Sequence, residues 1–130
     1  KFIDGDDLTL ICTGSIISEA LEAAEELSNH GIYVRVLSMH TVKPLDVNAI
    51  NSASKETGGI LTIEEHNATG GLGGAISESC MNSMIIPKTF SKIALGDIFS
   101  SIVGSQEYLR SKYCMDSDAI INRVREMLNK

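Results

Sequence analysis

Two adjacent carboxylates and a histidine, Glu64-Glu65-His66, are the residues of this chain best suited to moving protons. A carboxyl and an imidazole that reach one substrate atom can serve as acid and base. The string follows the apolar run Ile60-Leu61-Thr62-Ile63, so it stands where a strand ends. Gly14-Ser15, Met39-His40-Thr41 and Gly96-Asp97 follow apolar runs in the same way. A Gly-Ser turn opening a helix can hold an anion. In an open parallel sheet with right-handed crossovers, the loops after the strands emerge at one edge, where such folds take their ligands. Ser15, His40, Glu64, Glu65, His66 and Asp97 therefore form the candidate strand-end crevice. The alternative gives Glu65 or His66 to hydrogen bonds with loop backbone and helix ends, and makes Ser15 a helix cap.

The run Thr69-Gly70-Gly71-Leu72-Gly73-Gly74 resembles a phosphate cradle at first sight. It fails the GxGxxG test, because after Gly71 and Gly73 the third glycine position holds Ile76, and the run follows the third apolar strand instead of the first. The segment itself lacks a lysine or arginine to neutralise a bound anion, the nearest basic residue downstream being Lys88. Gly70, Gly71, Gly73 and Gly74 are read instead as a close-approach element at an interface. No GxxxxGK[ST], GxSxG, HExxH or calcium-loop pattern occurs. Cys12, Cys80 and Cys114 are far apart, with no CxxC pair and no histidine at ligand spacing, so no metal site can be drawn. They read as buried, reduced thiols of a cytoplasmic protein.

The elements that must position these residues alternate. Strands are expected at Leu8–Cys12, Tyr33–Ser38, Ile60–Ile63 and Phe90–Leu95, each a short run that is nearly all apolar. Between them, helical spacing covers Ile16–Asn29, Val47–Thr57 (with Asp46 as N-cap) and Leu72 to about Ser83. Ser105–Tyr113 is expected to be helical, and Met115-Asp116-Ser117 caps a last helix whose apolar face is Ile120, Ile121, Val124, Met127 and Leu128. Phe2-Ile3, ahead of the turn Asp4-Gly5-Asp6-Asp7, is expected to add a short edge strand. Alternating strands and helices with near-continuous apolar strands argue for a parallel sheet covered on both faces.

The 130 residues suffice for one domain. Eleven basic against seventeen acidic side chains leave a net charge of −6, the wrong sign for coating nucleic acid or an anionic membrane. No apolar run approaches the roughly 20 residues of a membrane-spanning helix. The start at Lys1, without an initiator methionine, suggests a piece of a longer chain.

Taken in order, these segments resemble the C-terminal domain of the transketolase family of thiamine-diphosphate enzymes. The residues that carry the resemblance are Thr13-Gly14-Ser15, Ala20-Leu21-Glu22-Ala23-Ala24, and Gly31-Ile32 through Val36-Leu37-Ser38-Met39 to Lys43-Pro44-Leu45-Asp46. They continue with Thr57-Gly58-Gly59-Ile60, Thr62-Ile63-Glu64-Glu65-His66, Gly70-Gly71-Leu72-Gly73, Gly96-Asp97-Ile98-Phe99 and Tyr113-Cys114-Met115-Asp116. Cys114 departs from the pattern, standing where the resemblance leads one to expect glycine. Within the resemblance, the alternative is the same domain of a deoxyxylulose-phosphate synthase or of a 2-oxoacid dehydrogenase β subunit. The resemblance implies a three-layer α/β/α domain with a mostly parallel five-stranded sheet, one short edge strand being antiparallel. It implies a full enzyme that moves a two-carbon ketol unit between sugar phosphates with thiamine diphosphate and Mg²⁺ or Ca²⁺. It also implies that this domain joins the preceding transketolase domains and the second subunit of a homodimer. The glutamate that activates the cofactor belongs to a preceding domain, so the resemblance assigns no catalytic, cofactor-binding or metal residue here. A small-ligand-binding or regulatory domain using the strand-end crevice is the alternative of a different class.

Overall fold

The structure, a computed structural model, describes residues 2–40, 42–67, 70–96 and 103–130, without the side chains of His66 and Asn67. In chain order the elements are β1 (Leu8–Cys12), α1 (Ile17–Asn29), β2 (Val34–Ser38), α2 (Val47–Glu56), β3 (Ile60–Asn67), α3 (Leu72–Ser83), β4 (Phe90–Leu95), α4 (Gln106–Lys112) and α5 (Ser117–Leu128). A single turn of 3-10 helix, Gly14–Ile16, leads into α1. The strands form one sheet in the order β2-β1-β3-β4, and every pairing is parallel.

All five residues of β1 are buried, because a central parallel strand is covered on both faces. Leu8, Leu10 and Cys12 point into one apolar cluster with Ala20, Leu27, Ile120 and Val124, which places α1 and α5 on that face. Ile11 points the other way, into a second cluster with Ile50, Ala53, Ile76 and Cys80, which places α2 and α3 opposite. The result is three layers, helices over sheet over helices. Thr9, the polar member of β1, is satisfied across the core by Thr57, Oγ1 to Oγ1 at 3.0 Å. Asp46 and Asp116 each cap a helix, accepting from the backbone N–H of Ala49 and Ala119 at 3.0 Å.

The sheet corrects the expectation of five strands with an antiparallel edge. Among the described residues it has four strands, all parallel, and the segment before β1 makes one isolated antiparallel bridge, Ile3 with Val36. The chain bends at Asp6-Asp7 ahead of β1, where Asp7 accepts the Tyr33 backbone N–H at 2.7 Å, and Ile3 with Val36 is the pair that aligns. β3 also runs four residues beyond the expected Ile63, to Asn67.

Candidate functional site

Glu64 and Glu65 stand at the carboxyl end of β3. The register with β4 slips there: Ile63 pairs with Ile93, yet Asn67 pairs with Leu95, so four residues on one strand face two on the other. Such bulges re-aim side chains near strand ends. Successive strand residues point to opposite faces, which sends Glu64 towards α3 and Glu65 towards α1.

Glu64 is completely buried. Its two carboxylate oxygens accept the backbone N–H groups of Leu72 at 2.8 Å and Gly73 at 2.7 Å, the first two residues of α3. A helix N-terminus attracts an anion through its unpaired donors and its dipole. Here the glycine-rich turn does receive an anion, and it is the protein's own side chain.

Glu65 enters a different network. Arg110 of α4, with only 8% of its side chain exposed, donates from Nε to Glu65 Oε1 at 2.7 Å and from Nη1 to Glu19 Oε1 at 3.3 Å. Its Nη2 donates to Ser15 Oγ at 3.0 Å, while Ser15 Oγ donates to Glu65 Oε2 at 3.2 Å. Gln106 Nε2 reaches Ser15 Oγ at 3.2 Å and both Glu65 oxygens at 3.4 Å. Glu19 Oε2 accepts the Ser117 backbone N–H at 3.0 Å, which ties α5 to α1. The hydrogen bond from Arg110 holds the Glu65 carboxyl below the usual carboxylate range; burial opposes this, and the guanidinium charge, Ser15 and Gln106 add to the lowering. Arg110 is raised in turn, first by its hydrogen bond to Glu65. Ser15 is therefore no helix cap, since neither the 3-10 turn nor α1 has a side-chain capping bond.

Between this network and α4 lies a cavity of about 480 Å³, with Leu95, Leu109, Tyr113 and Met115 among its walls and Glu65 and Arg110 at its polar end. His40 is not brought to it. His40 lines a separate cleft of about 440 Å³ with Met39, Pro44 and Asp46, beside the start of α2. The His66 side chain and the whole of Asp97 lie outside the described residues. The crevice expected from strand ends thus resolves into Ser15 with Glu65, a separate buried Glu64 and a distant His40.

The four glycines divide as well. A Cβ on Gly73 would strike the Lys92 side chain and Thr62 Oγ1, so this glycine lets α3 lie against the sheet of its own chain. Gly70 (φ +75°) and Gly74 have open space where a Cβ would stand. Gly71, partly buried, precedes the first residue of α3. Cys12 and Cys80 are buried as expected, and burial pushes the Cys12 thiol up to about 12. Cys114 is exposed, contrary to expectation, because it sits in a left-handed turn (φ 54°) on the surface between α4 and α5.

Arg110, Glu19 and Gln106 were not singled out by sequence reasoning. Glu19 of α1 turns inward to Arg110, with only 14% of its side chain exposed. The available signal was the spacing of Gln106, Arg110 and Tyr113, which puts an arginine on the inward stripe of a short helix.

The family described as "Transketolase, C-terminal domain" matches residues 3–120. The chain belongs to that family. It is 35% identical over 127 residues to the 6-deoxy-6-sulfo-D-fructose transketolase subunit SqwH of Clostridium sp. (strain MSTE9), covering 98% of this chain and 38% of that protein. It is 37% identical over 128 residues to a putative transketolase C-terminal section of Methanocaldococcus jannaschii, covering 98% of this chain and 39% of that one. Among solved structures it resembles a split-gene transketolase described as an inactive β4 tetramer, with a TM-score of 0.87 and 31% identity, covering 98% of this chain and 41% of the other. The chain thus spans about two fifths of the length of these relatives.

A transketolase-family domain raises the question of thiamine diphosphate, whose pyrophosphate needs backbone donors or cations and a metal. The described residues do not fit it. The amides at the start of α3 are taken by Glu64, and the one buried guanidinium at the strand ends is taken by two carboxylates and a serine. Among the described residues no three histidine, cysteine or acidic side chains converge as metal ligands, and no helix is long and apolar enough to cross a membrane.

Proposed function

We propose that this domain is the non-catalytic assembly section of a transketolase. It completes an enzyme that transfers a two-carbon ketol unit between sugar phosphates in the cytoplasm. Other sections, on the same chain or a separate one, hold the thiamine diphosphate with its Mg²⁺ or Ca²⁺, and the domain joins them and the second subunit of a homodimer. The observation that most supports this reading is Glu64: a domain that fills its own helix N-terminus with a buried carboxylate offers no phosphate cradle at its glycine-rich turn. Relatives named as a transketolase subunit and as a C-terminal section agree with a part that works only with others. Gly70 and Gly74, with free space at their Cβ positions, are the points of the turn open to a neighbouring chain.

The test is a coupled ketol-transfer assay with a ketose phosphate donor, an aldose phosphate acceptor, thiamine diphosphate and Mg²⁺. The purified chain should give the blank rate alone. Adding the sections that precede it should restore turnover and shift its elution to a larger complex. Turnover by the chain alone sinks the reading.

A further inference from the structure

We propose that residues 2–7 form a strap guarding the open edge of the sheet, that Arg35 is the latch holding it there, and that with the strap lifted β2 pairs with β2 of a second copy. This does not depend on the assembly role, and it would stand if that reading failed. β2 is the last strand on its side of the sheet. An edge strand offers its outward N–H and C=O groups to any other strand. Val36, at the middle of β2, is covered: its N–H donates to the Ile3 C=O at 3.0 Å, and its C=O accepts the Phe2 N–H at 2.9 Å. The strap then follows β2 back to its start, where the Asp7 N–H donates to the Tyr33 C=O at 3.0 Å. Gly5 permits this path, since a Cβ there would strike the backbone of Tyr33 and Val34.

Arg35 is the one charge within β2. It lies beside Thr9 in the register, and its side chain runs to the α2 face. Nη1 donates to Glu56 Oε2 at 2.8 Å and to Ser52 Oγ at 3.4 Å, both on α2, while Nε stands 3.3 Å from Asp4 Oδ1 of the strap. Only 9% of the arginine side chain is exposed, against 64% for Asp4. Ile3 packs against the apolar cluster on the opposite face. The strap is thus gripped from both faces of the sheet, by apolar contact on one and by charge on the other. The sequence of β2 selects the occupant. Outward groups belong to alternate residues, hence to Val34, Val36 and Ser38. Antiparallel pairing of two copies about Val36 sets Val36 against Val36 and Val34 against Ser38, so the outward groups of all three find partners. Arg35 of one copy then faces Leu37 of the other, and no like charges stand opposite.

The experiment joins amide hydrogen exchange, followed by NMR, to analytical ultracentrifugation. In the parent chain the Val36 N–H should be protected. Asp4→Asn should speed its exchange roughly two- to five-fold, the scale of one partly exposed ion pair, and leave the Leu10 N–H of β1 unchanged. Arg35→Lys keeps the charge but not the fork that spans Asp4 and Glu56, and should loosen Val36 in the same way. A chain shortened to begin at Asp6 should sediment with twice the parent's mass, with the Val36 N–H protected again in the doubled species. Gly5→Val lifts the strap by its clash with Tyr33 and Val34 without shortening the chain, and should give the same doubling. Ser38→Pro deletes an outward donor at the end of β2 and should reverse it. Equal Val36 exchange in the parent and in both latch variants would overturn the latch. Strap-lifted chains that keep the parent's mass, or a doubling that survives Ser38→Pro, would overturn the guarded edge.

Discussion

Glu64→Gln is the sharpest probe of how this domain is held together. The side chain keeps its shape and loses its charge. The parent carboxylate accepts two buried backbone N–H groups, at 2.7 and 2.8 Å. A glutamine can accept only one of them, because its amide nitrogen would face the other donor. A hydrogen bond to a charged group contributes about 1.5–3 kcal/mol, and a buried donor left unpaired costs about 1–3 kcal/mol. Allowing for relaxation, the change should destabilise the domain by about 2–4 kcal/mol, a large share of the roughly 5–15 kcal/mol typical of a domain. With a urea dependence of about 2 kcal/mol per molar, the middle of the usual range, the midpoint should fall by about 1–2 M. The opposing effect is desolvation: a neutral side chain is cheaper to bury than a carboxylate. Equilibrium urea unfolding followed by circular dichroism decides between them. A Glu64→Gln midpoint equal to or above the parent's would refute the reasoning, since burial would then outweigh both hydrogen bonds and the helix dipole.

Three further outcomes are expected. Glu65 has a lowered folded-state pKa, so its stabilisation is present above the ordinary value of 4.5 and is lost as pH falls through the depressed one; the thermal midpoint should drop more steeply below about pH 4.5 in the parent than in Glu65→Gln, and parallel profiles would count against the Arg110 anchor. Gly73→Ala should destabilise markedly, because the new methyl meets Thr62 and Lys92, whereas Gly74→Ala, in open helical space, should stabilise by about 0.5–1 kcal/mol in the same urea assay. Cys114→Gly should raise stability by up to about 1 kcal/mol, since a non-glycine residue in the left-handed region costs about 1–2 kcal/mol and the added freedom of the unfolded glycine returns part of it; a lower melting temperature would show that the Cys114 side chain contributes packing that its exposure conceals.

Much of the scaffold was legible because each signal was local. The nearly all-apolar run Leu8–Cys12, four apolar residues with Thr9 among them, reads as a covered strand, and Asp46 and Asp116 cap helices through bonds to residues three positions on. The glycine at position 114 is expected from the family resemblance alone, and the positive φ of Cys114 supplies its reason. What escaped was long-range. Arg110 meets Glu19 across 91 positions and Glu65 across 45, and nothing in either segment announces the other. The two carboxylates at 64 and 65 looked like one pair, but strand geometry sends them to opposite faces, where one serves backbone and the other an arginine. The short edge strand shrank to the single bridge of Ile3 with Val36.

Glu64 has one further consequence. In folds that wait for a phosphate, the attraction of a helix N-terminus is felt only when the ligand arrives, and the protein's firmness then rises and falls with ligand concentration. Here the anion is tethered eight and nine residues from the two amides it satisfies, and its effective concentration is fixed by the chain itself. The domain is born saturated. A part built in this way draws the anion for this helix start from its own chain and not from a ligand or a neighbour.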